Sequence, residues 1–314
     1  MKQLISKALT KTGPLIGLAV MFIVLSFLSP HFLTADNLMN ITRQVAVNAI
    51  LATGMTFVII SAGIDLSVGS ILALSGCVMA LALKSGVGIF PGVLIGMGVG
   101  SLCGLVNGFL IGFMRLPPFI ATLGMMSIAR GLALVVTKGY PVFGFPAGFD
   151  YLGTGYLWDM IPVSLVLTAL VIVAAYFVLK HMKIGRCVYV IGGNEEAAAL
   201  SGINVKVHKT IIYTICGFLA GLASVMFVSR LNSAQPTAGI AYELDAIAAT
   251  VIGGTSLFGG VGTIWGTVIG VLIMGVLRNG LNLLNVSSFW QQVAIGIVII
   301  IAVYVDQLRH RTQL

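Results

Sequence analysis

Two groups of residues carry the chemistry available to this sequence. The first is scattered through apolar runs: Asn48, Ser67, Ser70, Asn107, Thr122, Asn279 and Asn282, with the acids Asp65, Glu243 and Asp245 among them. Amides and hydroxyls bring hydrogen bonds without a fixed charge, which would cost free energy to bury unless paired. Such a set suits a neutral, hydroxyl-rich ligand better than an ion. Each residue also has a plainer reading as a helix cap or an interhelical hydrogen bond. Asp65 follows Gly63 and would serve as an N-cap, and Glu243 and Asp245 precede a helical run in the same way. The functional alternative is that these acids hold segments in register by bonding to neighbouring helices. The second group is compact, Asn194-Glu195-Glu196-Ala197-Ala198-Ala199-Leu200-Ser201-Gly202. Acids at its start favour the helix dipole and a glycine ends it. Alanines without bulky charge would let this short helix dock in a groove on a partner; a solvated surface helix is the alternative.

Other chemistries lack their residues. There is no GxxxxGK[ST] stretch to cradle phosphates, and no HExxH or GxSxG. His31, His181, His208 and His310 are scattered, and Asp65 and Asp245 are the only plausible in-span acid pair for proteolysis. Cys77, Cys103, Cys187 and Cys216 form no CxxC pair and read as small core residues, with neither disulfide nor metal implied. The chain is expected to be no enzyme and to hold no cofactor or metal.

These groups need positioning by elements built for lipid. Only 8% of the 314 residues are charged, 58% are hydrophobic, and mean hydropathy is +1.08. Soluble domains carry about 25% charged residues, so the reading is an all-α polytopic membrane protein. Apolar runs at 14–29, 45–61, 66–83, 89–113, 119–137, 161–179, 210–229, 245–258, 263–277 and 288–305 give about ten spans, those at 66–83 and 245–258 being bordered by acids. At about 20 residues each, they leave roughly a third of the chain for loops, and therefore one transmembrane domain over 1–314. The basic stretch before Pro14–Leu28 resembles a signal sequence, but no A-x-A site follows, so it is read as an uncleaved span.

With the N-terminus inside, eleven Lys and Arg face the cytoplasm (Lys2, Lys7, Lys11, Arg115, Lys180, Lys183, Arg186, Lys206, Lys209, Arg309, Arg311). Five face outward (Arg43, Lys84, Lys138, Arg230, Arg278), and Arg130 lies in a span. Both termini are therefore placed in the cytoplasm. The net charge of +8 is assigned to this orientation, and no nucleic-acid partner is expected. Residues 138–160 form an outer, aromatic and proline-rich cap, and residues 180–209 a large inner loop. Gly92, Gly96, Gly100, Gly104, Gly108 and Gly112 recur every fourth residue, with Gly262, Gly266 and Gly270 as a second row. Such rows let another helix approach to backbone contact, or provide a sliding surface.

The 194–202 stretch, E-A-A-x-x-x-G, resembles the coupling helix of ATP-binding-cassette (ABC) importer permeases. Further stretches resemble the ribose-type sugar permeases: Gly63-Ile64-Asp65-Leu66-Ser67-Val68-Gly69-Ser70, Phe119-Ile120-Ala121-Thr122-Leu123, Gly192-Gly193-Asn194-Glu195, and Ser233-Ala234-Gln235-Pro236-Thr237-Ala238-Gly239. Tyr242 to Ala249, Gly253-Gly254-Thr255-Ser256 and Gly280-Leu281-Asn282-Leu283-Leu284 complete the set. The resemblance runs from about residue 30 to 305, with departures in the 138–160 loop and the 84–95 connection.

It implies a bacterial plasma-membrane assembly. Two copies of the chain form the pore, an ATPase subunit (in this branch usually one tandem polypeptide) holds MgATP below, and a soluble periplasmic or extracellular sugar-binding protein docks outside. The cargo would be ribose or a related monosaccharide. ATP closure would push on Asn194, Glu195, Glu196, Ala197, Ala198 and Gly202, while Asn48, Asp65, Ser67, Asn107, Thr122, Glu243, Asp245, Asn279 and Asn282 are candidates for path or gate. Other cargo for the same superfamily (allose, xylose, a furanose-like signalling molecule, branched-chain amino acids) and an ion-coupled secondary transporter are the competing readings. Asp65→Asn is expected to abolish uptake and leave membrane insertion intact; normal uptake by this variant would refute a role for Asp65 in transport.

Overall fold

A computed structural model describes residues 2–311, with side-chain surroundings for 13–308. The side chains of Lys2, Lys7, Lys11, Arg309 and Arg311, on which the inward placement of the termini partly rests, lie outside the described residues. The chain begins with α1 (Lys2–Leu28), α2 (Ala35–Ile60), α3 (Val68–Lys84), α4 (Ile89–Gly112) and α5 (Pro118–Thr137). A short excursion holds α6 (Tyr151–Thr154), β1 (Tyr156–Leu157) and β2 (Ile161–Pro162). Then follow α7 (Val163–His181), α8 (Lys183–Gly193), α9 (Glu195–Leu200), α10 (Val205–Leu231), α11 (Tyr242–Ile252), α12 (Ile264–Leu283) and α13 (Ser288–Arg311).

Of the ten expected spans, seven are helices long and apolar enough to cross a membrane: α2, α4, α5, α7, α10, α12 and α13. The first and third coincide with shorter apolar helices, Gly13–Leu28 within α1 and Val68–Lys84. The eighth differs in kind. Instead of spanning 245–258, α11 has 11 residues, about 16 Å at 1.5 Å per residue, roughly half of a ~30 Å hydrocarbon core. Backbone geometry sets both limits: Ala241 before it is left-handed (φ 66) and Gly254 after it has φ 91.

α2 runs through the middle of the bundle. It is apolar or small on every side from Val45 to Ile60 and buried accordingly, packing on α7, α10, α11 and α12. Lipid provides no hydrophobic drive for helices to associate, so contact depends on close fit. Both glycine rows supply that fit. Gly92 and Gly96 lie on Leu83 and Met79 of α3, while Gly100, Gly104, Gly108 and Gly112 lie against the α10 backbone at Gly217, Tyr213, Thr210 and Lys206. α10 answers with Gly217 and Gly221, so the two antiparallel helices meet wall to wall. In the second row, Gly266 and Gly270 receive the carbonyls of Gly253 and Ala249 from α11. Gly262 precedes α12 and packs instead on Thr255 and Ile60.

The 138–160 segment is more than a loose cap. Phe149 is fully buried, Ser229 Oγ donates to its carbonyl at 2.6 Å, and Val142 and Ala234 exchange backbone hydrogen bonds of 2.9 and 3.0 Å. Arg43 sits 4.7 Å over the Tyr156 ring. Tyr140, Phe143 and Trp158 remain exposed, Trp158 to 83% at the hairpin tip.

Gly104→Ala should lower the melting temperature of the purified protein, because the new methyl meets α10 backbone that cannot yield; overpacking of this kind costs about 1–3 kcal/mol. Gly98→Ala in the same helix, where nothing lies within 4 Å, should leave it unchanged or slightly raised. Equal melting of the two variants would contradict the wall-to-wall packing.

Candidate functional site

Two stretches of backbone leave helical geometry inside the bundle, 61–67 between α2 and α3 and 232–241 between α10 and α11. The first is caged by side chains. Asp65 is fully buried, and its Oδ1 accepts from Ser67 N at 2.9 Å and Ser67 Oγ at 2.5 Å. Ser67 Oγ in turn accepts from Asn107 Nδ2 of α4 at 2.9 Å. Thr122 of α5 and Tyr213 of α10 donate to the Ile64 carbonyl at 3.3 and 3.5 Å. Asp65, Ser67, Asn107 and Thr122, far apart in sequence, are thus brought together. The N-cap of α3 is Ser67, not Asp65; Asp65 closes the turn two residues earlier. Asp65 Oδ2 and Asn107 Oδ1 stay buried without a hydrogen-bond partner.

The second stretch is held from α5. Arg130 Nη1 donates to the carbonyls of Pro236 and Ala238, both at 2.6 Å, and its charge faces Glu243. Gly239 (φ 68) packs against the Gly69 backbone. The first turns of α3 and α11 therefore meet, with Glu243 Oε2 beside Gly69. Since the far end of α11 rests on the first turn of α12, this meeting point lies about 16 Å from that end along the helix. Glu243 and Asp245 lie within the first turn of α11 rather than before the helix. Asp245 accepts from Arg278 of α12 at 2.5 Å, a contact between neighbouring helices.

A cavity of about 370 Å³ opens beside this junction, at the end of the bundle away from α8 and α9. Gln44 and Asn48 of α2, Tyr242 of α11, Arg278 and Asn282 of α12, and Gln291 of α13 line it. Its size is within the ~300–1,000 Å³ of small-molecule pockets. Arg278 carries its counter-charge on Asp245, Arg230 donates to the Arg43 carbonyl at 3.2 Å, and Gln291 Nε2 donates to Asn282 Oδ1 at 2.7 Å. The wall thus presents amide, phenol and guanidinium hydrogen-bonding groups, which suits a polyol. Of the expected path residues, only Asn48 and Asn282 line this cavity. Asn279 instead forms a reciprocal amide pair with Asn37, at 2.7 and 3.0 Å. Gln44, Tyr242 and Gln291 were not picked out from the sequence. Gln44 carried a usable signal, since it lies four residues before Asn48 and so shares its helix face.

At the opposite, basic end stands the 194–202 helix. Asn194 caps it, its Oδ1 accepting from Ala197 N at 2.9 Å, and Gly202 (φ 83) ends it. Ala198 is buried, whereas Glu196 and Ala197 are exposed and Leu200 is 90% exposed. Glu195 is engaged within the chain by Lys209 at 2.6 Å; Glu196 makes no such bond among the described residues. The helix is tied to the interior through α8. Gly192 lies against the Ile60 carbonyl and Gly260, Gly260 N donates to Ile60 O at 2.8 Å, and Tyr189 OH donates to Gly262 O at 2.8 Å. Burial pushes the Tyr189 phenol up, so it stays a donor. α9 is therefore connected through α8 to the end of α2, five residues before Asp65, and to the loop that follows α11.

Residues 37–303 match the family described as branched-chain amino acid transport system / permease component. The chain belongs to this permease family. The permease is 51% identical to the ribose import permease protein RbsC of Bacillus subtilis, over 95% of its own length and 92% of the relative's. It is 49% identical to RbsC of Escherichia coli K12, over 94% and 93%. Identity to the D-allose transport system permease protein AlsC of the same strain is 42%, over 95% and 92%. No solved structure gives a significant match. The permease is thus a multi-pass bacterial membrane protein and a component of a transport system.

In this permease, Tyr189→Phe deletes one hydroxyl and the hydrogen bond from α8 to Gly262. A hydrogen bond of about 0.5–1.5 kcal/mol corresponds to a roughly two- to tenfold loss of uptake, with the amount of protein in the membrane unchanged. Uptake equal to that of the parent would show that this contact transmits nothing.

Proposed function

We propose that this permease moves ribose into the bacterial cytoplasm as the membrane subunit of an ABC importer. The observation that carries the substrate is identity of 51% and 49%, across almost the whole chain, to two proteins named ribose import permeases. The family description speaks of branched-chain amino acids. That cargo needs one partner for a carboxylate and another for an ammonium. Among the cavity's neighbours, Asp245 is already bound to Arg278, leaving hydrogen-bonding groups rather than a pair of free charges. The 42% relative named for allose favours, as second reading, a related monosaccharide.

Two copies of the chain would frame the path. A soluble binding protein would release sugar over the outer cap, into the cavity lined by Asn48, Tyr242 and Asn282. A separate ATPase subunit, probed by Glu196 and Leu200, would hold MgATP and supply the work; this chain hydrolyses nothing. Closure of that subunit would displace α9 and α8, and with them the 61–67 turn through Ile60 and the loop after α11 through Gly260. α3 and α11 then part at Gly69 and Gly239, and the sugar passes. An ion-driven mechanism would need titratable groups free to cycle, whereas Arg130 is bound to the carbonyls of Pro236 and Ala238, Asp245 to Arg278, and Asp65 through its Oδ1 to Ser67.

The test is labelled-ribose uptake in cells expressing the permease with its companion subunits, challenged with unlabelled sugars and repeated with Glu196→Lys. Competition by ribose and loss of uptake in the variant support the proposal. Competition by another sugar alone overturns the substrate, and unchanged uptake in Glu196→Lys overturns the ATPase coupling.

A further inference from the structure

A second, larger space opens at the basic end of the bundle, about 940 Å³ in volume. It takes in Pro14 of α1, Lys180 of α7, Trp265 of α12 and Asp306 of α13. Each of these residues lies within the first or last few residues of an apolar helical stretch, and three of these stretches are long enough to cross a membrane. The cavity therefore lies at the boundary between hydrocarbon and water, on the side the basic residues assign to the cytoplasm. It is separate from the sugar cavity, which lies at the other end of α12.

Its wall has two characters. One side is apolar and aromatic: the rings of Tyr176 and Trp265 are 5.9 Å apart, and the backbone runs past them at Val261 and Ile264. The other is cationic. Lys180 is fixed over Tyr176, its ammonium 5.1 Å from the ring and donating to the phenol oxygen at 2.6 Å, which leaves two further N–H groups to give. The guanidinium of Arg186, one helix on, makes no hydrogen bond or ion pair among the described residues. The first turn of α12, Thr263 to Gly266, borders the same space, and its dipole favours negative charge. The single acid on the wall, Asp306, is turned to the protein: its Oδ2 accepts from Leu257 N at 3.1 Å. A cavity that is apolar on one side and cationic on the other, and lies at the membrane boundary, matches a molecule with an acyl chain and an anionic head. Basic pockets between helices on the cytoplasmic side bind such heads.

We propose that this cavity binds one anionic phospholipid of the inner leaflet, its phosphate held by Lys180 and Arg186 and its acyl chain laid along Tyr176 and Trp265. The lipid would wedge between α7–α8 and α12–α13. Its site adjoins the contact between Tyr189 and Gly262, so its occupancy would stiffen the connection from α9 to the interior. The lipid is a structural ligand and takes part in no reaction.

Both lysine and arginine are exposed, so their replacement should not disturb folding. The full-length chain, purified in detergent, is melted with added phosphatidylglycerol, phosphatidylcholine or inorganic phosphate, alongside the double variant Lys180→Gln, Arg186→Gln. Phosphatidylglycerol should raise the parent's melting temperature by several degrees, phosphatidylcholine and inorganic phosphate should not, and the double variant should lose the shift. Equal stabilisation by phosphatidylcholine would reduce the effect to bulk lipid. Stabilisation by inorganic phosphate alone would make the site one for a free anion, and a shift retained in the double variant would place the lipid elsewhere; each result overturns the proposal. Native mass spectrometry of the parent chain provides a check independent of the variant. It should retain about one phosphatidylglycerol per chain when phosphatidylcholine is stripped, and equal loss of both lipids would also overturn the proposal.

Discussion

Backbone that is not helical cannot face hydrocarbon, where an unpaired N–H or C=O has no water to turn to. This permease places two such stretches, 61–67 and 232–241, inside its bundle, and much of the surrounding structure answers to that constraint. Arg130 spends its guanidinium on two carbonyls of the second stretch. Thr122 and Tyr213 serve one carbonyl of the first, and Asp65 and Ser67 complete its turn. For these groups to reach, α4, α5 and α10 must stand close around the turns. The glycines of α4 and α10 permit that approach where side chains would hold the helices apart.

The same closeness couples the two ends of the molecule. α8 is wedged between the last residue of α2 and the loop after α11, so the 61–67 turn and that loop have one neighbour in common. The 61–67 and 232–241 stretches in turn converge where Gly69 meets Gly239. α9 is thereby linked, through backbone and short side chains, to the turn that leads into α3 and to the loop at the far end of α11. Asp65 Oδ2 and Asn107 Oδ1 are buried and unpartnered beside the first turn, as are Asp245 Oδ1 and Arg278 Nε where α11 meets α12.

Much of this was legible in the sequence because its signals are local or periodic. Glycine every fourth residue announced close packing, and the packing is there. The short inner helix could be read from Asn194, its two acids and Gly202, since caps act over three or four residues. The half-length α11 was not legible: a run of apolar residues reports hydropathy, whereas the left-handed backbone at Ala241 and Gly254 that limits the helix leaves no hydropathic trace. Asn279 looked like a path residue until its partner Asn37 appeared, 242 positions away. Tyr242 escaped notice because an aromatic at a helix start becomes a cavity wall only once α2 and α12 are in place around it.

The charged side chains around the junction occur as neighbours of opposite sign, Asp245 with Arg278 and Glu243 with Arg130. Moving a single elementary charge across the membrane involves about 2.3 kcal/mol of electrical work per 100 mV, but a pair that moves together involves almost none. Both pairs bridge helices, α11 to α12 and α11 to α5, so any movement of α11 against these neighbours carries each acid past its partner cation. The electrical work of such a movement is therefore set by how far the paired charges separate, whereas a movement of each pair as a unit is close to silent.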